Sequence, residues 1–268
     1  MKESKPNYPI KVLNKTFSIL EVLLQQGSAM NMTEISEKLG LYPSTTHRIL
    51  DTLKHWGYVE QDPRTQKYQL GLKALELGMA KLQQIDLVRE ATPYLKELVK
   101  QCNETVHLGV LEEGEVMYLA KEESSQTIRM ISYVGKRAPV HCTALGKVLL
   151  TYLSVEERKK ILGEKVLPRL TENTITDKSE LEKELSKVRE QGFALDREEN
   201  EKDVRCIAAP IRNYQGEVIA ALSISSPVFR IDKNAQNNLK VALTETSTKI
   251  SKRLGYDDKL QKGGHLVE

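Results

Sequence analysis

The first 70 residues change hydrophobic period in a definite order. Phe17, Ile19, Leu20, Leu23 and Leu24 share one stripe of a helix expected over Lys15 to Gln26, and they supply one side of a small core. Thr33, with Glu34 and then Ile35 and Leu39, signals the start of a second helix about two turns long, and Gly40 stands where a left-handed cap is needed. Tyr42-Pro43 forces one extended residue and then a favourable first helical position, so a third helix is expected from Pro43 or Ser44 to Trp56, closed by Gly57. Two short strands, Tyr58 to Gln61 and Lys67 to Leu70, flank the turn-rich Asp62 to Gln66.

Helix, helix-turn-helix and hairpin together make a winged helix. In the third helix Thr46, Ile49, Leu50 and Leu53 fall on one face, while Ser44, Thr45, Arg48, Thr52 and His55 point away from it. A recognition helix presents its N-terminal residues to base edges, so Ser44, Thr45, His47 and Arg48 are the candidates for contact with double-stranded DNA. Arg48 suits a guanine, and the hydroxyls of Ser44 and Thr45 suit phosphates or several bases. Arg64 at the hairpin tip and Lys67 on the return strand are candidates for phosphate or minor-groove contact.

Beyond the hairpin, Leu72, Leu75, Met79 and Leu82 recur at helical spacing, which predicts a linker helix whose stripe is either ordinary packing or a dimer seam. A helix over Leu87 to Cys102 follows. Strands are expected at Thr105 to Leu111 and Glu115 to Lys121 around a Glu-Glu-Gly turn, then at Ile128 to Val134, Phe193 to Arg197, Val204 to Arg212 and Glu217 to Ser225. Helices are expected at Thr143 to Tyr152, Val155 to Leu162, Lys178 to Gln191 and Lys233 to Leu254. That alternation predicts an α+β domain on a mostly antiparallel sheet. The organisation is therefore a winged helix over 10–72 with a linker helix to about 84, a second domain over 73–256 and a loose tail over 257–268.

Charge changes this picture little. The 268 residues carry a net +3, and residues 1–72 hold nine Lys and Arg against seven Asp and Glu, so bulk charge does not predict DNA binding. Affinity must come from where the cations sit, and doubling the module in a dimer is the direct way to gather enough phosphate contacts. Three cysteines, no CxxC pair, no long apolar run and no signal-like N-terminus favour a reducing cytoplasm, with no disulfide framework, zinc finger or membrane span.

In the strand Glu217 to Ser225, Ser223 and Ser225 share one face with small neighbours, which leaves room for a ligand. Val204 to Arg212 should run beside it and bring Cys206. The turn at His141 to Thr143 opens a helix whose free N–H groups suit an anion.

The ordered set LGLYPSTTHRILDTLKHWGYVE, YQLGLKALELG, APVHCTALGKVLL, QGFALDREEN and VRCIAAPIRNYQGEVIAALSISSP resembles the isocitrate lyase regulator (IclR) family of bacterial transcription factors over roughly residues 10–256. The resemblance implies a winged helix joined by a linker helix to a GAF-like effector domain. It also implies a homodimer or homotetramer on operator DNA, and control of a small catabolic operon by a small metabolite. The family pocket maps onto Met130, Ala144, Leu145, Asp196, Cys206, Ser223 and Ser225. Ala144 replaces a glycine and Leu145 a smaller residue, which bears on ligand size. Hydroxyls, a thiol, an acid and a helix terminus suit an oxo- or hydroxy-acid, and no cofactor is expected.

A different class competes with this reading. His141, Asp196 and Cys206 hold the ingredients of a cysteine nucleophile, and with Cys142 they can form a zinc set. Against catalysis, the chain shows no nucleophile elbow or oxyanion-hole signature. Asp196, in an acid-rich segment, also reads as part of a solvated loop.

Overall fold

A computed structural model describes residues 10–82, 86–127, 131–163, 166–230 and 233–258. The chain divides between Ile85 and Asp86 into two compact units. The first contains α1 (Lys11–Gln26), α2 (Met32–Leu39), α3 (Pro43–His55), the antiparallel hairpin β1 (Val59–Gln61) and β2 (Tyr68–Leu70), and α4 (Leu72–Leu82). Its core is Ile19, Leu23, Met30, Ile35, Ile49, Leu50, Leu53, Val59 and Tyr68.

Local chemistry sets these boundaries. The N-cap of α2 is Asn31, two residues before the expected Thr33, because Glu34 three positions on completes a capping box with it. Gly40 ends the helix at φ 63°, the left-handed cap predicted. Phe17 and Leu24 depart from the expected core: they are 59% and 48% exposed. With Leu20, Leu70, Leu72 and Leu75 they line an apolar groove of about 770 Å³. Only every third or fourth position of α1 reaches the core of so small a module, and Ile19 and Leu23 take those places. In α4, Leu72 and Leu75 are exposed, whereas the side chains of Met79 and Leu82 lie outside the described set.

The second unit is built on a six-stranded antiparallel sheet in the order β5-β4-β3-β8-β7-β6. Its strands are β3 (Thr105–Glu112), β4 (Glu115–Glu122), β5 (Arg137–Ala138), β6 (Ala194–Arg197), β7 (Val204–Arg212) and β8 (Val218–Pro227). Helices α5 (Leu87–Cys102) and α9 (Lys233–Arg253) pack on one face. On the other lie α6 (Ala144–Thr151), buried along its whole length, and α8 (Lys178–Gln191), while α7 (Val155–Leu162) follows α6. The strand expected over Ile128 to Val134 is not formed at residues 131–134, and its first three residues lie outside the described set. The sheet edge is instead completed by β5, paired with β4 through Val116 and Met117.

Candidate functional site

Two surfaces carry the chemistry, one in each unit. In the first, α3 buries Thr46, Ile49, Leu50 and Leu53 and leaves Ser44, His47 and Arg48 exposed, with Thr45 half-buried. The N-cap residue Tyr42 accepts from the backbone N–H groups of Thr45 and Thr46, so the helix starts cleanly and its first turn faces solvent. His47 Nδ1 lies 3.0 Å from Asp51 Oδ2, which ties that ring along the helix. Arg48 and Arg64 have exposed guanidinium groups without an ion-pair partner among the described residues. The hairpin tip is shaped by Asp62, whose Oδ1 accepts from the N–H groups of Arg64 and Thr65, and Lys67 stands exposed beyond it.

In the second unit, strand register gathers one polar row. Asp196 pairs with Cys206, Cys206 with Ser225, Ala208 with Ser223, and Ser223 with His107. Because alternate residues share a face, Asp196, Cys206, Ser223, Ser225 and His107 all stand on one side of the sheet. The helix across from that side is α6, whose Ala144 and Leu145 pack with Ala194, Ala208 and Ala221. These three alanines keep the floor shallow.

Several contacts fix the row. Cys206 Sγ donates to Ser225 Oγ at 3.2 Å, and Ser225 Oγ lies 3.4 Å from His107 Nδ1. His107 Nε2 shares a 2.7 Å hydrogen bond with Ser132 Oγ. Asp196 is buried, not solvated, and its Oδ1 accepts from the N–H of Glu199 at 2.8 Å and of Asn200 at 3.4 Å. Tyr118 stacks on His107 with ring centroids 4.9 Å apart. Ser223 is buried between its register partners His107 and Ala208.

Burial dominates the electrostatics. Asp196 is raised to about 7 by loss of water, against the pull of the Glu199 N–H and the Lys147 charge. His107 is lowered to about 3, first by burial and then by Lys121 and Lys136, so the ring is neutral at ordinary pH. The Cys206 thiol is pushed upward by burial and by Asp196, and Cys142 is pushed up to about 12 mainly by burial. Neither is a thiolate near neutrality.

The start of α6 borders this row. Thr143 caps it by accepting from the Gly146 N–H at 3.1 Å. At Gly146 a Cβ would lie 2.3 Å from the Val140 carbonyl oxygen, so only glycine lets the helix lie this close to the preceding chain. Leu145 packs over Gly109 of β3, where a Cβ would meet its Cδ1 at 3.1 Å. One turn into α6, the buried Lys147 pairs with the buried Glu199.

The residues expected at the effector site thus come together, apart from Met130, which lies outside the described residues. The catalytic alternative loses its base: His141 Nε2 is engaged 2.9 Å from the Pro168 carbonyl oxygen, while Cys206 turns to Ser225. Cys142 Sγ donates toward Asn200 Oδ1, and the described residues contain no cluster fit to hold a metal. His107 and Tyr118 also border this row, and nothing near them in the sequence marks them. The pairing of His107 with Ser223 is the signal that identifies them, and it required knowing that β3 neighbours β8.

Comparison with known proteins agrees with both units. Residues 12–63 match the IclR helix-turn-helix domain, and residues 79–252 match the C-terminal domain of the bacterial transcriptional regulator IclR. The chain is 40% identical over 256 residues to the HTH-type transcriptional regulator KdgR of Dickeya chrysanthemi, covering 96% of this chain and 83% of that one. Its identity to KdgR of Escherichia coli is also 40%, covering 96% and 97%. Among solved structures, Thermotoga maritima IclR is 31% identical with a TM-score of 0.61, over 92% of this chain and 99% of that one. The Agrobacterium tumefaciens repressor BlcR is 26% identical with a TM-score of 0.81, over 93% and 99%. With a helix-turn-helix in one unit and an IclR-type α+β domain in the other, this chain belongs to the IclR family of DNA-binding transcriptional regulators.

Proposed function

We propose that this protein is a ligand-responsive repressor of a small catabolic operon. It binds a partly palindromic operator as a dimer or dimer of dimers, and a small oxo- or hydroxy-acid in the second unit controls that binding. The observation that carries the reading is the row Asp196, Cys206, Ser223 and Ser225 gathered on one face of the sheet and facing the start of α6. Two hydroxyls, a thiol and an acid converging on one buried face are the few placed polar groups that orient a small polar ligand. Ala144, Leu145 and, by resemblance, Met130 complete the wall.

Ser44, Thr45, His47 and Arg48 read the major groove, and Arg64 and Lys67 hold phosphates. Two copies joined over the apolar groove of α1, β2 and α4 supply the phosphate contacts that one weakly basic module lacks. Control is by linkage: the effector binds one arrangement of the dimer more tightly and so shifts operator affinity.

The test begins by selecting duplexes that bind the full-length protein from a random library. Release from the selected duplex is then followed by anisotropy as 2-oxo acids and sugar acids are added. Ser223→Ala is expected to bind the duplex while responding to the releasing acid only at about ten- to a hundredfold higher concentration. Unchanged sensitivity of Ser223→Ala to an acid that releases the wild type removes β8 from the site.

A further inference from the structure

Tyr118 lies on β4, two strands away from Ser223, yet its ring leans over His107. Its register partner on β3 is Gly109, over which Leu145 of α6 packs. Both nitrogens of His107 are engaged, one with Ser132 and one with Ser225, so the imidazole is a fixed shelf. Tyr118 and Cys206 both pack on the cluster that holds Ala144, Leu145, Ala208 and Ala221, which puts the phenol beside the candidate pocket. Burial holds it protonated well above the usual phenol range. A protonated, half-buried phenol is a donor, and among the described residues it has no acceptor.

We infer that Tyr118 is a further effector-binding residue, whose hydroxyl donates to a carboxylate or hydroxyl oxygen of the bound acid and so selects ligands carrying an acceptor at that end. The inference rests on the reading of this sheet face as the effector site. It assigns the pocket a second polar wall on β4, across strands β3 and β8 from Asp196 and Cys206. An acid that reaches both walls is favoured over one that fills only the Asp196 side. Its recognition then depends on a hydroxyl or second oxygen away from the first carboxylate.

The experiment titrates the full-length wild type, Tyr118→Phe and Ser223→Ala with pyruvate, lactate, glycerate and gluconate by calorimetry. Tyr118→Phe keeps the ring on His107, and its melting curve checks that the fold is retained. For an acid that binds the wild type, the expected result is a Kd raised about tenfold or more in Tyr118→Phe, as loss of one hydrogen bond to a charged group requires. An unchanged Kd in Tyr118→Phe beside a raised one in Ser223→Ala overturns the role of Tyr118 and leaves the site standing. An unchanged Kd in both, or no binding of any of the four acids by the wild type, overturns the site reading and the inference together. Wild-type protein carrying 3-fluorotyrosine gives a second readout: the Tyr118 signal, assigned by its loss in Tyr118→Phe, shifts on addition of the bound acid. A signal that does not move counts against contact even if the variant binds weakly for other reasons.

Discussion

Lys147 Nζ lies 2.6 Å from Glu199 Oε1, and both side chains are buried. The pair ties the second turn of α6 to the loop after β6, two elements that border the proposed effector site. Among the described residues, Glu199 Oε2 is itself buried without a hydrogen-bond partner. Removing one member therefore leaves an uncompensated charge. Lys147→Met is expected to cost about 3–5 kcal/mol in urea denaturation, whereas Lys147→Met with Glu199→Gln should recover most of that loss. Equal losses in the single and double variants would show that packing, not charge, holds the two elements together.

The raised Asp196 has a pH signature. In the unfolded chain it ionises near its ordinary 3.8, but in the folded protein it keeps its proton to about 7. Between those values the folded state binds more protons than the unfolded state, so this residue's contribution to stability is full below pH 3.8 and is lost as pH rises through 7. Asp196→Asn should flatten that part of the Tm–pH curve. An anionic effector should also bind less tightly to the wild type above pH 7 than below it, because an ionised Asp196 repels it. A Tm difference between wild type and Asp196→Asn that is the same at pH 5 and pH 8 would contradict the assignment.

On DNA, Arg48 and Lys67 are expected to divide the work. Arg48→Ala should lose about 1–3 kcal/mol of discrimination against the wrong base, while Lys67→Ala should weaken specific and random duplexes alike and lower the salt slope by about one. The measurement is competition binding over a salt series. Equal losses on both kinds of DNA for both variants would refute the division.

The exposed leucines of α4 predict how the protein assembles. Leu72 is 67% and Leu75 59% exposed, beside the groove that also exposes Phe17. A charge in that groove, as in Leu75→Glu, should shift sedimentation toward the monomer and reduce operator affinity more than tenfold, while leaving the melting temperature of the second unit unchanged. A wild type that sediments as a monomer on and off DNA would rule out the dimer.

Much of this was legible because the signals are local. The Pro43 start of α3, the Gly40 cap and the buried face Thr46, Ile49, Leu50 and Leu53 depend on residues a few positions apart, and they stand where the pattern puts them. The bounds of α7, α8 and β7 follow from caps and alternation in the same way. Non-local facts were harder. His107 sits in a strand buried along its first five residues, and nothing near it in sequence says that it will meet Ser223. Tyr118 needed both that register and the bulge after Leu108. Phe17 and Leu24 failed for the opposite reason: an apolar stripe does not say whether its cover comes from the same chain. Asp196 looked solvated among acids, and its two backbone hydrogen bonds explain how it tolerates burial.

The close approach at Gly146 limits how chemical taste can drift in this scaffold. With Val140 Cα 2.4 Å and its carbonyl oxygen 2.3 Å from where a side chain would begin, that position is closed to mutation unless the helix moves away from the chain that leads into it. In the proposed effector site, selection for a new ligand must then act through the tips of neighbouring residues, Leu145 over Gly109 and Ala144 beside it, because the entry of the chain into α6 is already fixed. Libraries at those two positions should yield variants whose response to the acid that releases the wild type from its duplex is graded by side-chain size, while changes at Gly146 should abolish that response.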